Sequence, residues 1–277
     1  MKLLLCSEAD NASVNIRDRI LELEDFLHVG DFDDHPVLRF KDLVMVTIHD
    51  LHIYAEDIDL AISEKLDIEL EAIVFLSRHR AASGIPTLTV HPIGNHGNAD
   101  FGGRSRTLVP ASPHLMTSML RSLAKEAACL DYRVSFEVTH HGPHLSSPAI
   151  YIEIGSDESM WDDKEAAAAI ARTVLHTEIE VCPTVIGIGG GHYAPRFTEI
   201  ALTRKVSFGH MVPNYALKGS DSSPANEIIL RALEKSEGAS MAYIHKKSMK
   251  RSEATSMRNI LSDIGVEVIE GKDLDPL

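Results

Sequence analysis

Short apolar runs alternate along the chain with longer amphipathic stretches, and this alternation predicts an α/β fold. Ten of the short runs have the length of buried strands. They lie at Lys2–Cys6, Leu43–Ile48, Ala72–Leu76, Thr87–Val90, Val134–Thr139, Ala149–Ile154, Thr184–Ile188, Val206–Phe208, Met241–Ile244 and Val266–Ile269. No repeat or spacer divides them, so we predict that residues 1–277 form a single domain.

Six amphipathic stretches are predicted as helices from the spacing of their apolar residues and from their end signals. Ser112-Pro113, for example, supplies a hydroxyl N-cap and a proline at the first helical position. Their apolar stripes are interpreted as core faces. The predicted helices cover Val14–Phe26, Asp57–Leu66, Ser112 to about Ala127, Ser159 to about Leu175, Ser223 to Gly238, and Ser252 to Gly265.

The segment from Gly84 to Pro113 is the sharpest break in composition, because it is rich in Gly, Pro, Asn and His. A long connection of this kind inside a compact domain is usually either functional or disordered. We predict that it is a functional insertion at about residues 84–113 of the single α/β domain.

The formal net charge of −14 disfavours long-range attraction to nucleic acid or to an anionic membrane. A polyanionic partner would therefore need a local basic patch. Basic residues do cluster at Arg78–Arg80, at Arg104 and Arg106, and at Lys246–Arg251, although such runs are usually solvated faces.

Cys6, Cys129 and Cys182 form no CxxC pair, so neither a disulfide framework nor a thiolate zinc site is expected. The apolar run after Met1 is too short for a signal peptide, and no segment approaches the ~20 apolar residues of a spanning helix. We therefore expect a cytoplasmic protein with no membrane partner.

Polar residues with useful chemistry follow five of the predicted strands. In open α/β sheets, binding sites lie beyond the carboxyl ends of the strands, so these segments are the candidates for a site. They begin at His91 (HPIGNHGNADFGG), His140 (HHGPH), Gly155 (GSDESMW), Gly189 (GGGHYAPRFTE) and Gly209 (GHMVPNYAL).

His140, His141 and His144 stand within five positions, and neutral imidazole is the commonest metal ligand in proteins. Adjacent histidines on a continuing strand would point to opposite faces, although Gly142-Pro143 bends the chain after them. The alternative is a polar loop in which one imidazole bonds to backbone and the others face water.

The glycines of GIGGGHYAPRF would let backbone N–H groups approach an anion or an oxyanion. This segment lacks the Lys-Ser/Thr of a P-loop, and the alternative is a structural turn that presents His192, Tyr193 and Arg196. Glu153 lies in an otherwise apolar run, where a carboxylate is costly unless it is paired, and His140 or His141 is a plausible partner. His210 and Asn214 flank Pro213 and are predicted to orient other groups.

Five motifs, HPIGN, THHGP, EIGSDESMW, GGGHYAPRFT and GHMVPNYAL, occur in this order along the chain. Between about Leu3 and Leu233 the chain resembles the archaeal and plant type of D-aminoacyl-tRNA deacylase. The resemblance implies a zinc-dependent enzyme that hydrolyses the ester between a D-amino acid and the terminal ribose of tRNA, and so recycles mischarged tRNA. It also implies a three-layer α/β sandwich around a mixed, mostly parallel sheet, similar to the phosphorylase and peptidyl-tRNA hydrolase folds.

Under this resemblance, histidines and zinc would activate a water molecule against the ester carbonyl. The predicted catalytic residues are His140, His141, Glu153 and His192, and zinc ligands are predicted among His140, His144 and His192. The motifs do not separate ligands from groups that transfer a proton. The predicted substrate-binding residues are His91, Asn95, Gly189, Gly190, Gly191, Tyr193, Arg196, His210 and Asn214.

Three alternatives remain open at the level of sequence. The ester could be hydrolysed without a metal, with histidine acting directly and the vicinal ribose hydroxyl helping. The chain could be another zinc hydrolase, a peptidase or an amidohydrolase, on the same fold. It could also be a non-catalytic nucleotide- or RNA-binding module whose glycine loop holds a phosphate. The expected partner is the aminoacylated 3′ end of tRNA; no stable protein partner is evident, and a monomer or small homo-oligomer is expected.

Overall fold

The computed structural model describes residues 1–218 and 224–277, and within them twelve strands and nine α-helices. The strands are β1 (Lys2–Ser7), β2 (Leu27–Phe32), β3 (His35–Phe40), β4 (Leu43–Ile48), β5 (Ala72–Arg78), β6 (Thr87–Pro92), β7 (Arg133–Phe136), β8 (Ala149–Gly155), β9 (Thr184–Ile188), β10 (Ser207–Val212), β11 (Met241–Ile244) and β12 (Glu267–Ile269). The helices are α1 (Asn11–Leu23), α2 (Ile58–Leu66), α3 (Pro113–Glu126), α4 (Glu158–Trp161), α5 (Lys164–His176), α6 (Pro195–Thr203), α7 (Asn214–Lys218), α8 (Ala225–Glu234) and α9 (Arg251–Asp263).

The described strands form two sheets. The larger has the order β2-β3-β4-β1-β5-β8-β6-β7, and the smaller has the order β10-β9-β11-β12. All pairs of the smaller sheet are parallel, whereas β2–β3, β3–β4 and β6–β8 of the larger sheet are antiparallel. This arrangement, with helices packed on the sheets, confirms the prediction of an α/β fold around a mixed, mostly parallel sheet.

Both faces of the larger sheet are covered, as the apolar runs predict. Successive side chains of β1 point to opposite faces. Leu4 and Cys6 join one core cluster with α1, α3 and α5, whereas Leu3 and Leu5 join a second cluster with α2. All four side chains are fully buried. A third cluster lies between the smaller sheet and helices α8 and α9.

The hairpin β2–β3 was not predicted, because its strands are half-exposed and carry no clear apolar run. Asp33 and Asp34 form its two-residue turn with φ of 52° and 59°, as a turn matched to the strand twist requires. The single helix predicted from Ser159 is two helices, because Asp163 caps a new start at α5. The predicted N-cap at Ser223 lies outside the described residues.

The predicted insertion contains strand β6 and a connection that packs onto the loop after β7. Gly102 is also in close contact with the segment between β4 and α2: with φ of +80°, a Cβ on it would lie 1.8 Å from the backbone oxygen of Ile53. The Gly142 N–H donates to the Phe101 carbonyl across 3.2 Å. The organisation as a single domain stays a prediction. Among residues 1–218 and 224–277, no helix has the length and apolarity to cross a membrane.

Candidate active site

Strands β5, β8, β6 and β7 on one side of the larger sheet, together with the loop after β9 of the smaller sheet, bring two glutamates and five histidines together. The register sets Glu153 of β8 beside Ser77 of β5 and Thr89 of β6. Glu137 forms an isolated bridge with Tyr193, which ties the end of β7 to the loop after β9. These seven residues, which we call the cluster, are His79, His91, Glu137, His140, His141, Glu153 and His192.

Glu137 is fully buried and faces three imidazoles. Its Oε2 lies 2.9 Å from Nε2 of His192 and 3.3 Å from Nε2 of His140, and its Oε1 lies 3.1 Å from Nδ1 of His79. Burial by itself would raise the pKa of the Glu137 carboxyl, but the imidazoles of His140 and His192 outweigh it and hold that pKa well below its usual value. Glu137 is therefore a buried carboxylate.

Glu153 is the second buried carboxylate of the cluster, 1% exposed. Its Oε2 lies 3.5 Å from Nδ1 of His79 and 3.6 Å from Nε2 of His91. Burial alone would raise the pKa of Glu153, but His79 and His91 lower it. Conversely, burial alone would lower the pKa of His79, but Glu153 and Glu137 raise it. A protonated His79 would carry one positive charge between the two buried carboxylates.

In their neutral form, two histidines would present nitrogen lone pairs to these carboxylates. Nδ1 of His140 lies 2.7 Å from the Val138 carbonyl, and Nδ1 of His91 lies 3.1 Å from the Pro92 carbonyl. A carbonyl only accepts, so each Nδ1 carries the proton, and in the neutral ring Nε2 is a lone pair. Those Nε2 atoms face Glu137 and Glu153, an arrangement that is repulsive unless a proton or a cation lies between them. A backbone carbonyl on the far nitrogen is typical of metal-binding histidines.

The cluster also holds buried polar atoms with no hydrogen-bond partner among the described residues. These atoms are Nε2 of His91, Nδ1 of His141, both carboxylate oxygens of Glu137 and Oε2 of Glu153. The distances to Glu137 are thus ion-pair contacts without hydrogen-bond geometry. Buried groups of this kind are costly unless something else satisfies them, and imidazole and carboxylate are the ligands that zinc accepts.

Three donor sets within the cluster could hold a metal ion, since their ligand atoms lie within 4.8 Å of one another. The sets are His91/His140/His141, His79/Glu137/His192 and His91/Glu137/Glu153. They overlap, so they describe one locus with several ligands rather than three separate sites.

The backbone at His141 explains how two adjacent histidines serve one site. His141 lies in the loop after β7 and has φ of 35°, a left-handed conformation that turns the chain there. The rings of His140 and His141 consequently lie 4.2 Å apart, on the same side of the chain. Burial, followed by the nearby His140 and His91, lowers the pKa of His141 well below its usual value, so its ring is neutral.

A cavity of about 430 Å³ opens onto the cluster and is large enough for an aminoacyl group. The members of the cluster that line it are His79, His140, His141, Glu153 and His192. His192 is accessible from the cavity, with 40% of its side chain exposed. Phe101 of the insertion also lines the cavity and is 64% exposed. Arg78, Arg80 and the buried Asp10 also line the cavity, and Arg80 is paired with Glu158.

The glycine loop, residues 189–191, is hydrogen-bonded to other parts of the protein. The Gly189 N–H donates to the Val212 carbonyl and the Gly190 N–H donates to Oγ of Ser248, each across 2.8 Å. These two amides are therefore not free for an oxyanion. Gly191 is exposed, and its N–H makes no hydrogen bond within the described part of the chain.

Substituting Gly189 by alanine should lower the free energy of unfolding by about 2 kcal/mol. Gly189 has φ of +104°, and a Cβ there would lie 2.7 Å from Oγ of Ser248. Gly191→Ala is the matched control. Apart from its chain neighbours, none of the described residues has an atom within 4 Å of where a Cβ at Gly191 would lie. Urea denaturation of both variants tests this, and equal losses in the two would contradict the tight fit at Gly189.

The structure places five of the predicted site residues apart from the cluster. Their polar atoms already have protein partners. Nδ1 of His144 lies 3.0 Å from Oδ1 of Asp57, and Nδ2 of Asn95 donates to the Gly102 carbonyl. The other contacts are His210 with Thr139 Oγ1 and the Val109 carbonyl, Asn214 with the Ser248 carbonyl, and Arg196 with Tyr243 and Glu199.

His210 is fully buried, and burial lowers its pKa to about 3. With both ring nitrogens in contact with the protein, it supports the backbone between the two sheets rather than facing the cavity. His144 belongs to none of the donor sets found among the described residues. Tyr193, by contrast, joins the cluster, because its hydroxyl lies 2.9 Å from Nε2 of His79.

Glu137 and His79 are central to the cluster and were not predicted. Glu137 carries the same signal as Glu153, a carboxylate within an otherwise apolar run, here Val134–Thr139. His79 stands between two arginines, a pattern typical of a solvated basic run. Only the register of β5 beside β8 shows that it lies between the two glutamates.

Comparison with known proteins gives one consistent result. The sequence model of the family described as D-aminoacyl-tRNA deacylase matches residues 66–269. The chain is 36% identical to the D-aminoacyl-tRNA deacylase of Methanococcoides burtonii, covering 98% of this chain and 57% of that protein. The chain is also 36% identical to the protein of that name from Methanosarcina mazei and 34% identical to that from Pyrococcus furiosus. Each of these matches covers 98% of this chain, and they cover 92% and 100% of the two relatives, respectively. A solved conserved protein of unknown function aligns with a TM-score of 0.89 at 34% identity, over 99% of this chain and 96% of that one.

Proposed function

This chain belongs to the D-aminoacyl-tRNA deacylase family, and we propose that it hydrolyses the ester bond between a D-amino acid and the terminal ribose of tRNA. The products are the free D-amino acid and a reusable tRNA, and we expect the reaction to take place in the cytoplasm. The observation that carries the proposal is the pair of buried carboxylates, Glu137 and Glu153, set among five imidazoles beside a cavity of about 430 Å³.

We propose zinc as the cofactor, held by His91, His140 and His141. The tautomers of His91 and His140 leave Nε2 free as a ligand, and Nδ1 of His141 is buried without a hydrogen-bond partner among the described residues. Three protein ligands with an open fourth position are the usual arrangement of a catalytic zinc. Bound there, zinc would polarise the ester carbonyl and bring the pKa of a water molecule towards neutrality.

Glu137 and His192 are proposed as the proton-transfer pair. Oε2 of Glu137 lies 2.9 Å from Nε2 of His192, so its charge would stabilise the protonated ring, and Nδ1 of this exposed ring would take the proton from the attacking water. The same ring can return the proton to the 3′ oxygen of the ribose as the ester breaks. His79, held between Glu137 and Glu153, fixes the direction of the Glu137 carboxylate.

Selection of the D enantiomer is proposed to depend on the insertion. Phe101 lines the cavity with most of its side chain exposed, so its ring can form a wall on one side of the α-carbon of the substrate. Discrimination between enantiomers requires such a third contact besides the ester and the amino group.

The proposal is tested by incubating the zinc-loaded protein with D-tyrosyl-tRNA, L-tyrosyl-tRNA and a panel of short peptides. We expect hydrolysis of the D ester at least about a hundredfold faster than of the L ester, because a steric clash at a chiral centre costs several kcal/mol. Equal cleavage of the two esters would contradict the proposal. Cleavage of the peptides with the tRNA ester left intact would favour a peptidase or amidohydrolase instead.

A further inference from the structure

A second cavity, of about 710 Å³, lies beside helix α6 and the ends of strands β11 and β12. Its charged lining has five cations and two carboxylates, so it is positive although the whole chain carries −14. We call it the basic cavity. Its cations are Arg196, Arg204, Lys246, Lys247 and Lys272, and its carboxylates are Glu199 and Glu270.

The two carboxylates do not neutralise the basic cavity. Glu270 is shared by Lys246, by Arg258 at 3.0 Å and by Lys272 at 3.8 Å. Lys247 is exposed and has no ion-pair partner within residues 1–218 and 224–277. Burial and then the neighbouring Arg196 and Lys247 lower the pKa of His245 in the cavity wall, as expected where the local potential is positive.

The basic cavity is joined directly to the loop that carries His192. Oγ of Ser248, in the turn that holds Lys246 and Lys247, accepts the Gly190 N–H, and the His245 N–H donates to the Ile188 carbonyl across 2.8 Å. Arg196 follows His192 by four residues, so their Cα atoms are at most about 15 Å apart. An RNA strand that ends at the catalytic cavity can therefore reach the basic cavity within a few nucleotides.

We infer that the basic cavity binds phosphates of the acceptor stem of tRNA. The inference rests on the proposed function, which sets the aminoacylated 3′ end in the neighbouring catalytic cavity. An acidic protein must hold a polyanion through a local patch, and phosphate contacts from lysine and arginine fix the register of a nucleic acid without reading its bases. The acidic remainder of the surface would repel the rest of the tRNA and so favour this one orientation.

The double variant Lys247→Ala/Lys272→Ala tests the inference, because both lysines are exposed. Lys65→Ala/Lys164→Ala removes two exposed lysines elsewhere and is the matched control. Binding of uncharged tRNA is measured by fluorescence anisotropy over a series of salt concentrations. Hydrolysis is measured with D-tyrosyl-tRNA and with D-tyrosyl-adenosine, a small ester that lacks the acceptor stem.

We expect the double variant to bind tRNA about tenfold more weakly than the control variant, with a slope of log K against log salt that is smaller by about two. The ratio of kcat/KM for tRNA to kcat/KM for the small ester should fall by the same factor. Unchanged binding and an unchanged ratio would overturn the inference. If the unaltered protein hydrolyses neither ester, the proposed function fails, and the binding measurement still decides whether the basic cavity holds RNA.

Discussion

Replacing Glu137 by glutamine is expected to lower kcat for D-aminoacyl-tRNA by about a thousandfold. Glutamine has nearly the volume of glutamate, so the fully buried position keeps its packing. What is lost is the negative charge that faces His192, His140 and His79 at 2.9 to 3.3 Å. Without it, the His192 ring loses its orientation and the stabilisation of its protonated form, which is the main contribution of such a carboxylate.

Steady-state rates of the Glu137→Gln variant are to be compared with those of Glu22→Gln, which removes a carboxylate from the surface of α1. The control should keep the activity of the unaltered protein, because Glu22 is exposed and its ion pair is with Arg19, on the same helix. Thermal unfolding of both variants shows that they fold. A folded Glu137→Gln variant that retains most of the kcat of the unaltered protein would exclude Glu137 from the reaction.

His140→Ala is expected to release zinc and, with it, nearly all activity. His192→Ala should keep zinc and still lose kcat, because His192 is proposed to move a proton rather than to bind the metal. His144→Ala should keep both, since its ring contacts Asp57 and lies in none of the donor sets of the described chain. We expect the zinc affinity of His140→Ala to fall at least about a hundredfold. Loss of a group that only hydrogen-bonds to a metal ligand costs up to about this factor, and His140 is proposed to be a ligand itself.

Zinc bound per chain is measured after chelation and reconstitution, beside the hydrolysis of D-tyrosyl-tRNA. The His192→Ala variant is the decisive comparison, because it separates a ligand from a base. If zinc is lost from His192→Ala and retained by His140→Ala, the metal is bound by His79, Glu137 and His192 instead. Full activity of the metal-free protein would contradict a role for zinc altogether.

Periodicity in the sequence predicts the strands well, because most of them are buried on both faces and form continuous apolar runs. Polar residues within or just after buried strands are the exception in such a fold, so the same pattern also indicates where a candidate site lies. This pattern identifies His91, His140, His141, Glu153 and His192, which do come together. The hairpin β2–β3 was missed because its pattern is neither strongly apolar nor regular.

The features of the candidate site that could not be predicted from the sequence depend on strand register and on single backbone angles. His79 enters the cluster only because β5 lies beside β8, and the motif around it resembles a surface. His140 and His141 share one side only because of the positive φ at His141. His210 looks equally suited to a site in the sequence, yet the chain buries it between Thr139 and Val109. Periodicity contains no information on any of these distances.

The central claim is that the cluster around Glu137 hydrolyses the ester of D-aminoacyl-tRNA. It is tested most directly by the initial rate of D-tyrosyl-tRNA hydrolysis with the zinc-loaded protein and its Glu137→Gln variant, with L-tyrosyl-tRNA in parallel. We predict rapid release of D-tyrosine by the unaltered protein, about a thousandfold less by the variant, and little release of L-tyrosine by either. Equal rates for the protein and its variant, or for the two enantiomers, would contradict the claim.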